Sequence, residues 1–182
     1  MAVSRKPLEE KRGQMARLSR LPVFFALDGK RAVLAGGSHA AAWKAELLSA
    51  AGGHVDVYAP EFSDDMRELA ANPPGGAVDL IAREWTSEDF PGAAVAVGDC
   101  EDGPSAAKFA EAARKCGVPV NVIDKPDFCD FSFGAIVNRS PLVIGISTDG
   151  AAPVFAQAVR AKLEALLPNG FAHWAAAASR WR

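Results

Sequence analysis

Two places in the chain hold residue types whose spacing can do chemistry. The first is Gly36-Gly37-Ser38-His39, where a short apolar run, Arg31 to Ala35, gives way to a stretch of helical composition, Ala40 to Ala51. A strand that turns into a helix through small residues leaves the helix's first amides unpaired, and these can hold a phosphate. Against the pattern G-x-G-x-x-G/A, Gly36 and Ala41 fill the first and third positions, while Ser38 stands at the second. Its side chain must therefore point away from a pyrophosphate or hydrogen-bond to it. The second place is Asp124, which ends the buried-looking run Pro119 to Ile123 within Asn121-Val122-Ile123-Asp124-Lys125-Pro126. A partly shielded carboxylate at the carboxyl end of a strand suits proton transfer, and it also suits capping the next turn.

The elements that must position these residues alternate. His54 to Ala59 reads as a strand stopped by Pro60, Ser63 to Ala71 as a helix capped by Ser63, and Val78 to Arg83 as a strand. Trp85 to Phe90 reads as a polar connection, Ala93 to Val97 as a strand covered on both faces, and Ser105 to Cys116 as a helix. The class is α/β, a Rossmann-type parallel sheet over Leu21 to about Asp124, with ligands expected beyond the carboxyl ends of the strands. Gly98 and Asp99, opening the acidic loop Gly98 to Asp102, then belong to the crevice wall, with Asn121 in the strand beside it. Tyr58 stands where an acid would take a ribose hydroxyl; Asp56 lies before it and Glu61 beyond, so NAD and NADP are not separated locally. Gly36, Gly37, Ser38, His39, Tyr58, Gly98, Asp99 and Asn121 are the candidate cofactor contacts.

Composition bounds the rest. The chain has 182 residues, 49% apolar and 23% charged, enough to bury a core. A net charge of −2 supplies no global field for nucleic acid or an anionic membrane. No apolar run has membrane-spanning length and no signal-peptide core follows the basic start, which points to the cytoplasm. Cys100, Cys116 and Cys129 match neither a disulfide framework nor a C-x-x-C pattern and are read as reduced. His54 and His173 have no partner at ligand spacing, so no fixed metal site is expected. Residues 1–20 read as a tail, and Leu21 to Leu27 as an edge or lead-in strand with Phe24 and Phe25 in the core.

The segments LPVFFAL, AGGSHAAAWKAELL, NVIDKPDFCDF, AIVNRSPLVIGISTDGAAP and RAKLEALLP, in that order, closely resemble the N-terminal module of siroheme synthase, over about Leu21 to Pro168. Stand-alone relatives of that module are precorrin-2 dehydrogenases, some also sirohydrochlorin ferrochelatases. The resemblance implies NAD-dependent oxidation of precorrin-2 to sirohydrochlorin. It places the family's essential aspartate on Asp124, its serine-rich segment on Ser147 and Thr148, and its cofactor turn on Gly36, Gly37 and Ser38. It also implies a homodimer built by a mixed α+β segment, here Lys125 to about Leu167, followed by a helical tail that begins near Phe171.

A polycarboxylate tetrapyrrole needs cations and open helix starts. Lys125, Arg139, Ser147 and Thr148 are the candidate substrate contacts, with a strand Leu142 to Ile146 and Pro153 opening a helix Val154 to Leu167; Arg160 and Lys162 read as a solvated face. The chain departs from the family at Ser38, at Gly134 (often proline) and at Asp149 (often glycine), the last placing a negative charge near an anionic ligand's expected site. Ending at Arg182 inside that helical region, it reads as a trimmed or short form, which weakens the ferrochelatase expectation. Two other classes keep the glycine turn: a non-catalytic NAD-responsive binding module, and another small Rossmann enzyme, either a dehydrogenase or a methyltransferase using S-adenosylmethionine.

Overall fold

The computed structural model describes residues 16–150, 152–168 and 170. They fall into two compact units, Phe24–Phe133, and the residues from Gly134 onward together with those before Phe24.

In the first unit strands and helices alternate: β1 (Arg31–Ala35), α1 (His39–Ala50), β2 (His54–Tyr58), α2 (Asp64–Ala71), β3 (Ala77–Ile81), β4 (Val95–Gly98), α3 (Gly103–Lys115) and β5 (Val120–Val122). The five strands pair in parallel in the order β3-β2-β1-β4-β5. Chain direction across the sheet reverses between β1 and β4, where an open α/β sheet leaves its crevice. Register brings the right residues to that edge, because Ala35 lies opposite Tyr58 on one side and Gly98 on the other.

Both faces of the sheet are covered. Ala32 and Leu34 of β1 pack with Ala41, Ala45 and Leu48 of α1, while Val33 and Ala35 face Phe109 and Ala110 of α3. Continuous apolar strands follow from this two-sided burial. Ser38, Ser63 and Asp102 cap the three helices by accepting the amides of Ala41, Met66 and Ser105. Asp102 thus belongs to the α3 cap.

Leu21 to Leu27 is not a strand. No backbone ladder joins it to either sheet edge; Phe24 is 72% exposed, Phe25 leans on Phe131, and Leu27 enters the core. Nor is Trp85 to Phe90 merely polar: Phe90 is fully buried, and Trp85, Phe90 and Phe109 meet edge to face at 5.2–5.4 Å. Asp89 anchors this connection by accepting Arg83's guanidinium in two hydrogen bonds, at 2.6 and 2.8 Å, and the amide and hydroxyl of Thr86.

The second unit contains an antiparallel hairpin, β6 (Ala135–Arg139) and β7 (Leu142–Ile146), and α4 (Pro153–Leu166). The sequence reading has β7 and α4 but no strand at β6. There, Asp149 takes a left-handed φ of 54° and pairs with Arg20. Most of the tail at 1–20 and the helical region from Phe171 lie outside the described residues. Among the described residues no helix is long and apolar enough to cross a membrane.

Candidate active site at the carboxyl ends of the strands

The glycine turn is held by backbone contacts on three sides. Gly36 donates its amide to Tyr58 at 2.9 Å and adopts φ 119°, a conformation that L side chains rarely reach. Gly37 accepts from the amide of Ser63 at 2.8 Å, and a Cβ on Gly37 would lie 2.0 Å from the carbonyl oxygen of Glu61. Asp99 donates its amide to Ala35 at 2.8 Å, and a Cβ on Gly36 would come within 2.6 Å of Asp99 Cβ. The turn, the β2–α2 connection and the end of β4 are therefore packed backbone against backbone.

Ser38 resolves the odd position in the fingerprint. Its hydroxyl accepts the Ala41 amide at 3.1 Å and donates to Asp99, so the side chain folds inward along the helix start. Ser38, His39 and Ala40 are exposed, and the α1 amides ahead of Ala41 have no intrahelical acceptor. An open helix start behind two close-packed glycines fits a dinucleotide pyrophosphate. His39 turns to Asp65 of α2 at the rim.

Asp124 lies in the turn that follows β5. Ile123 donates to Gly98 O at 2.9 Å and Lys125 to Val122 O at 3.2 Å, closing the turn with Asp124 exposed at φ 57°. A non-glycine residue in this conformation costs on the order of 1 kcal/mol, and such residues concentrate at functional sites. The turn is over-determined by its neighbours. Cys129 Sγ sits 3.1 Å from Val122 N and 3.3 Å from Lys125 O. Asn121 donates to Phe131 O at 2.9 Å, and Asp130 accepts Val120 N at 3.0 Å while pairing with Arg114. Residues 129–131 thereby cover the free edge of β5.

The other sequence-derived residues have structural partners. Tyr58 is buried, stacked beneath Arg83 at 4.7 Å, and burial raises its hydroxyl pKa. Gly98 leaves room for the Phe109 ring, which a Cβ would meet at 2.8 Å. Lys125 reaches back to the carbonyls of Cys100 and Glu101, at 2.8 and 3.3 Å, tying the β4–α3 loop to the β5 turn. In the second unit, Arg139 is not a free cation: it donates to Leu167 O at 2.5 Å, Asn138 O at 2.8 Å and Glu164 O at 3.5 Å, closing the end of α4. Ser147 is exposed and receives the Asp149 amide at 3.2 Å, while Thr148 is partly buried.

Sequence reasoning missed Lys44. It stands on the inward stripe of α1, at the same spacing as Ala41, Ala45 and Leu48, and a lysine in an apolar stripe was the available signal. Desolvation lowers its pKa, opposed by the charges of Asp124 and Cys129.

Residues 23–135 match a family described as NAD(P)-binding, and residues 139–166 match one described as sirohaem biosynthesis protein central. Siroheme synthase of Pseudomonas paraeruginosa is 41% identical over 162 residues, covering 89% of this chain and 34% of that protein. Siroheme synthase of Pseudomonas fluorescens is 40% identical with the same coverage. The chain thus spans about a third of the length of the curated relatives it matches. In structure it resembles SirC, a precorrin-2 dehydrogenase, with a TM-score of 0.72 at 22% identity, covering 86% of this chain and 75% of that one.

Proposed function

The chain belongs to the NAD(P)-binding family and resembles the N-terminal module of siroheme synthase, and from that premise we propose that it is an NAD-dependent precorrin-2 dehydrogenase producing sirohydrochlorin. The observation that carries the reading is Asp124, a carboxylate held in a left-handed turn at the end of β5, which is the strand next to β4 at the crevice edge.

NAD, when bound, supplies the hydride acceptor. The open amides of α1, with Gly36, Gly37, Ser38 and His39, hold its pyrophosphate; the Asp99 carboxylate is suited to a sugar hydroxyl. Tyr58, Gly98 and Asn121 support the crevice from behind through the contacts described above. Asp124 takes the proton that leaves the tetrapyrrole as the new double bond forms. Ser147 and Thr148 contact the substrate. Lys125, engaged by carbonyls, acts by tying the β4–α3 loop to the β5 turn, and Arg139 by closing the end of α4.

Leu142, Val143, Val154, Phe155 and Leu166 are exposed in the second unit. A homodimer would cover such a surface. Unpaired thiols at Cys100, Cys116 and Cys129 suit a reducing cytoplasm.

The test is anaerobic NADH formation from precorrin-2 and NAD, with Asp124→Asn in parallel. Wild type should form NADH, and the variant should lose about a hundredfold or more in rate while still binding NAD. Wild type that binds NAD and forms no NADH would end the dehydrogenase reading.

A further inference from the structure

Lys44 has a defined environment that the reaction as read above does not use. Its ammonium sits 4.2 Å from the centroid of the Trp43 ring and 4.4 Å from that of Phe133. Phe133 is itself held edge to face by Phe131 at 5.5 Å, and Phe131 meets Phe25 at 5.7 Å with the rings tilted by 53°. The aromatic pair gives a long, flexible side chain a fixed end point. Ile123, the residue before Asp124, packs with Phe131 and Phe133 against the same core cluster as Ala41, Ala45 and Leu48 of α1, and the charges of Asp124 and Cys129, both from the segment after β5, favour the protonated ammonium. Among the described residues no hydrogen bond or ion pair engages this ammonium, unlike that of Lys125. Three N–H donors, partly desolvated and bounded by ring faces, lack acceptors.

We propose that Lys44 is a substrate-binding residue, presenting a fixed positive charge beside Asp124 to a carboxylate of the tetrapyrrole. This rests on the dehydrogenase reading for the identity of the substrate. Lys44 brings the acidic side chain of the macrocycle to the crevice, and so the oxidised carbon to the neighbouring base. A carboxylate there completes the ammonium's hydrogen bonding, while Asp124 remains available for the proton.

The test titrates sirohydrochlorin, which carries the acidic side chains of the substrate, into the full chain without NAD, following tetrapyrrole absorbance. Wild type, Lys44→Gln and Lys44→Arg are compared, with NADH formation from precorrin-2 and NAD binding measured on each. Lys44→Gln should weaken sirohydrochlorin binding roughly tenfold and raise KM with kcat little changed. Lys44→Arg should restore most of the affinity because the charge is kept. Unchanged binding in Lys44→Gln overturns the assignment, as does an equal loss in both variants. Wild type that forms no NADH but binds sirohydrochlorin through Lys44 removes the dehydrogenase reading and leaves the assignment standing. Wild type that forms NADH while Lys44→Gln binds normally does the reverse. Wild type that does not bind sirohydrochlorin overturns the assignment outright.

Discussion

The two glycines of the turn make a requirement that can be measured residue by residue. A methyl group at Gly37 would overlap the carbonyl oxygen of Glu61, an atom of the backbone that cannot swing aside as a side chain would. Gly37→Ala should therefore destabilise the fold by about 2–4 kcal/mol, seen as a lower urea midpoint. Ser38→Gly should cost only a few tenths of a kcal/mol, about what an N-cap loses on that change. If Gly37→Ala melts with the wild type, the backbone contact is not what sets the turn. Asp124 poses a different case. Aspartate and asparagine both tolerate a left-handed backbone, so Asp124→Asn changes the chemistry without changing the turn.

At the scale of elements, the connection from β3 to β4 is where local composition misleads. Its residues Glu84 to Asp89 are mostly polar, yet Trp85 and Phe90 fill the space beneath the sheet because Phe109 of α3 meets them there. The Arg83 fork holds the Asp89 carboxyl well below the usual carboxylate range, with help from the Thr86 amide and hydroxyl. A carboxylate whose pKa is lowered on folding adds stability above its unfolded pKa, near about 4, and that stability is lost as pH falls through the folded value. Asp89→Asn should cost about 1–3 kcal/mol at pH 7, and the gap to wild type should narrow below about pH 4. Denaturation curves at neutral and acid pH decide it; a gap that stays constant or widens in acid would dismiss the ion pair as the cause. β6 was missed for a related reason: AIVNR is a short run, and only its pairing with β7, Val137 opposite Ile144, makes it a strand.

For the whole molecule, the prediction concerns assembly. Val154 is 83% exposed and Phe155 63% at the start of α4, with Leu142 and Val143 exposed in the same unit. A homodimer interface there predicts that Phe155→Glu shifts the mass from dimer to monomer, measured by light scattering at micromolar concentration. A wild-type chain that is already monomeric would remove the dimer from the reading. The division of the chain is also a property of the whole. The sequence reading ends the parallel-sheet domain at Asp124, whereas the first compact unit extends to Phe133. The added residues belong there because Cys129, Asp130 and Phe131 bind back to β5.

The alternation of strands and helices from β1 to β5, the Ser63 cap, the glycine turn and the placing of Asp124 just past a strand end were legible in the sequence by itself. Each follows from a local signal: apolar period, a Ser before a helix, small residues where the period changes. What only the tertiary structure decided is which polar groups are engaged. Lys125 and Arg139 read as free cations, but carbonyls 24 to 28 residues away take them up. Lys44 drew no reading from the sequence, but the Phe133 ring meets its ammonium and the charge of Asp124 acts on it, both from distant segments. Hydrogen-bond acceptors, ring faces and opposing charges are brought together by packing between distant segments, and no local pattern records that distance.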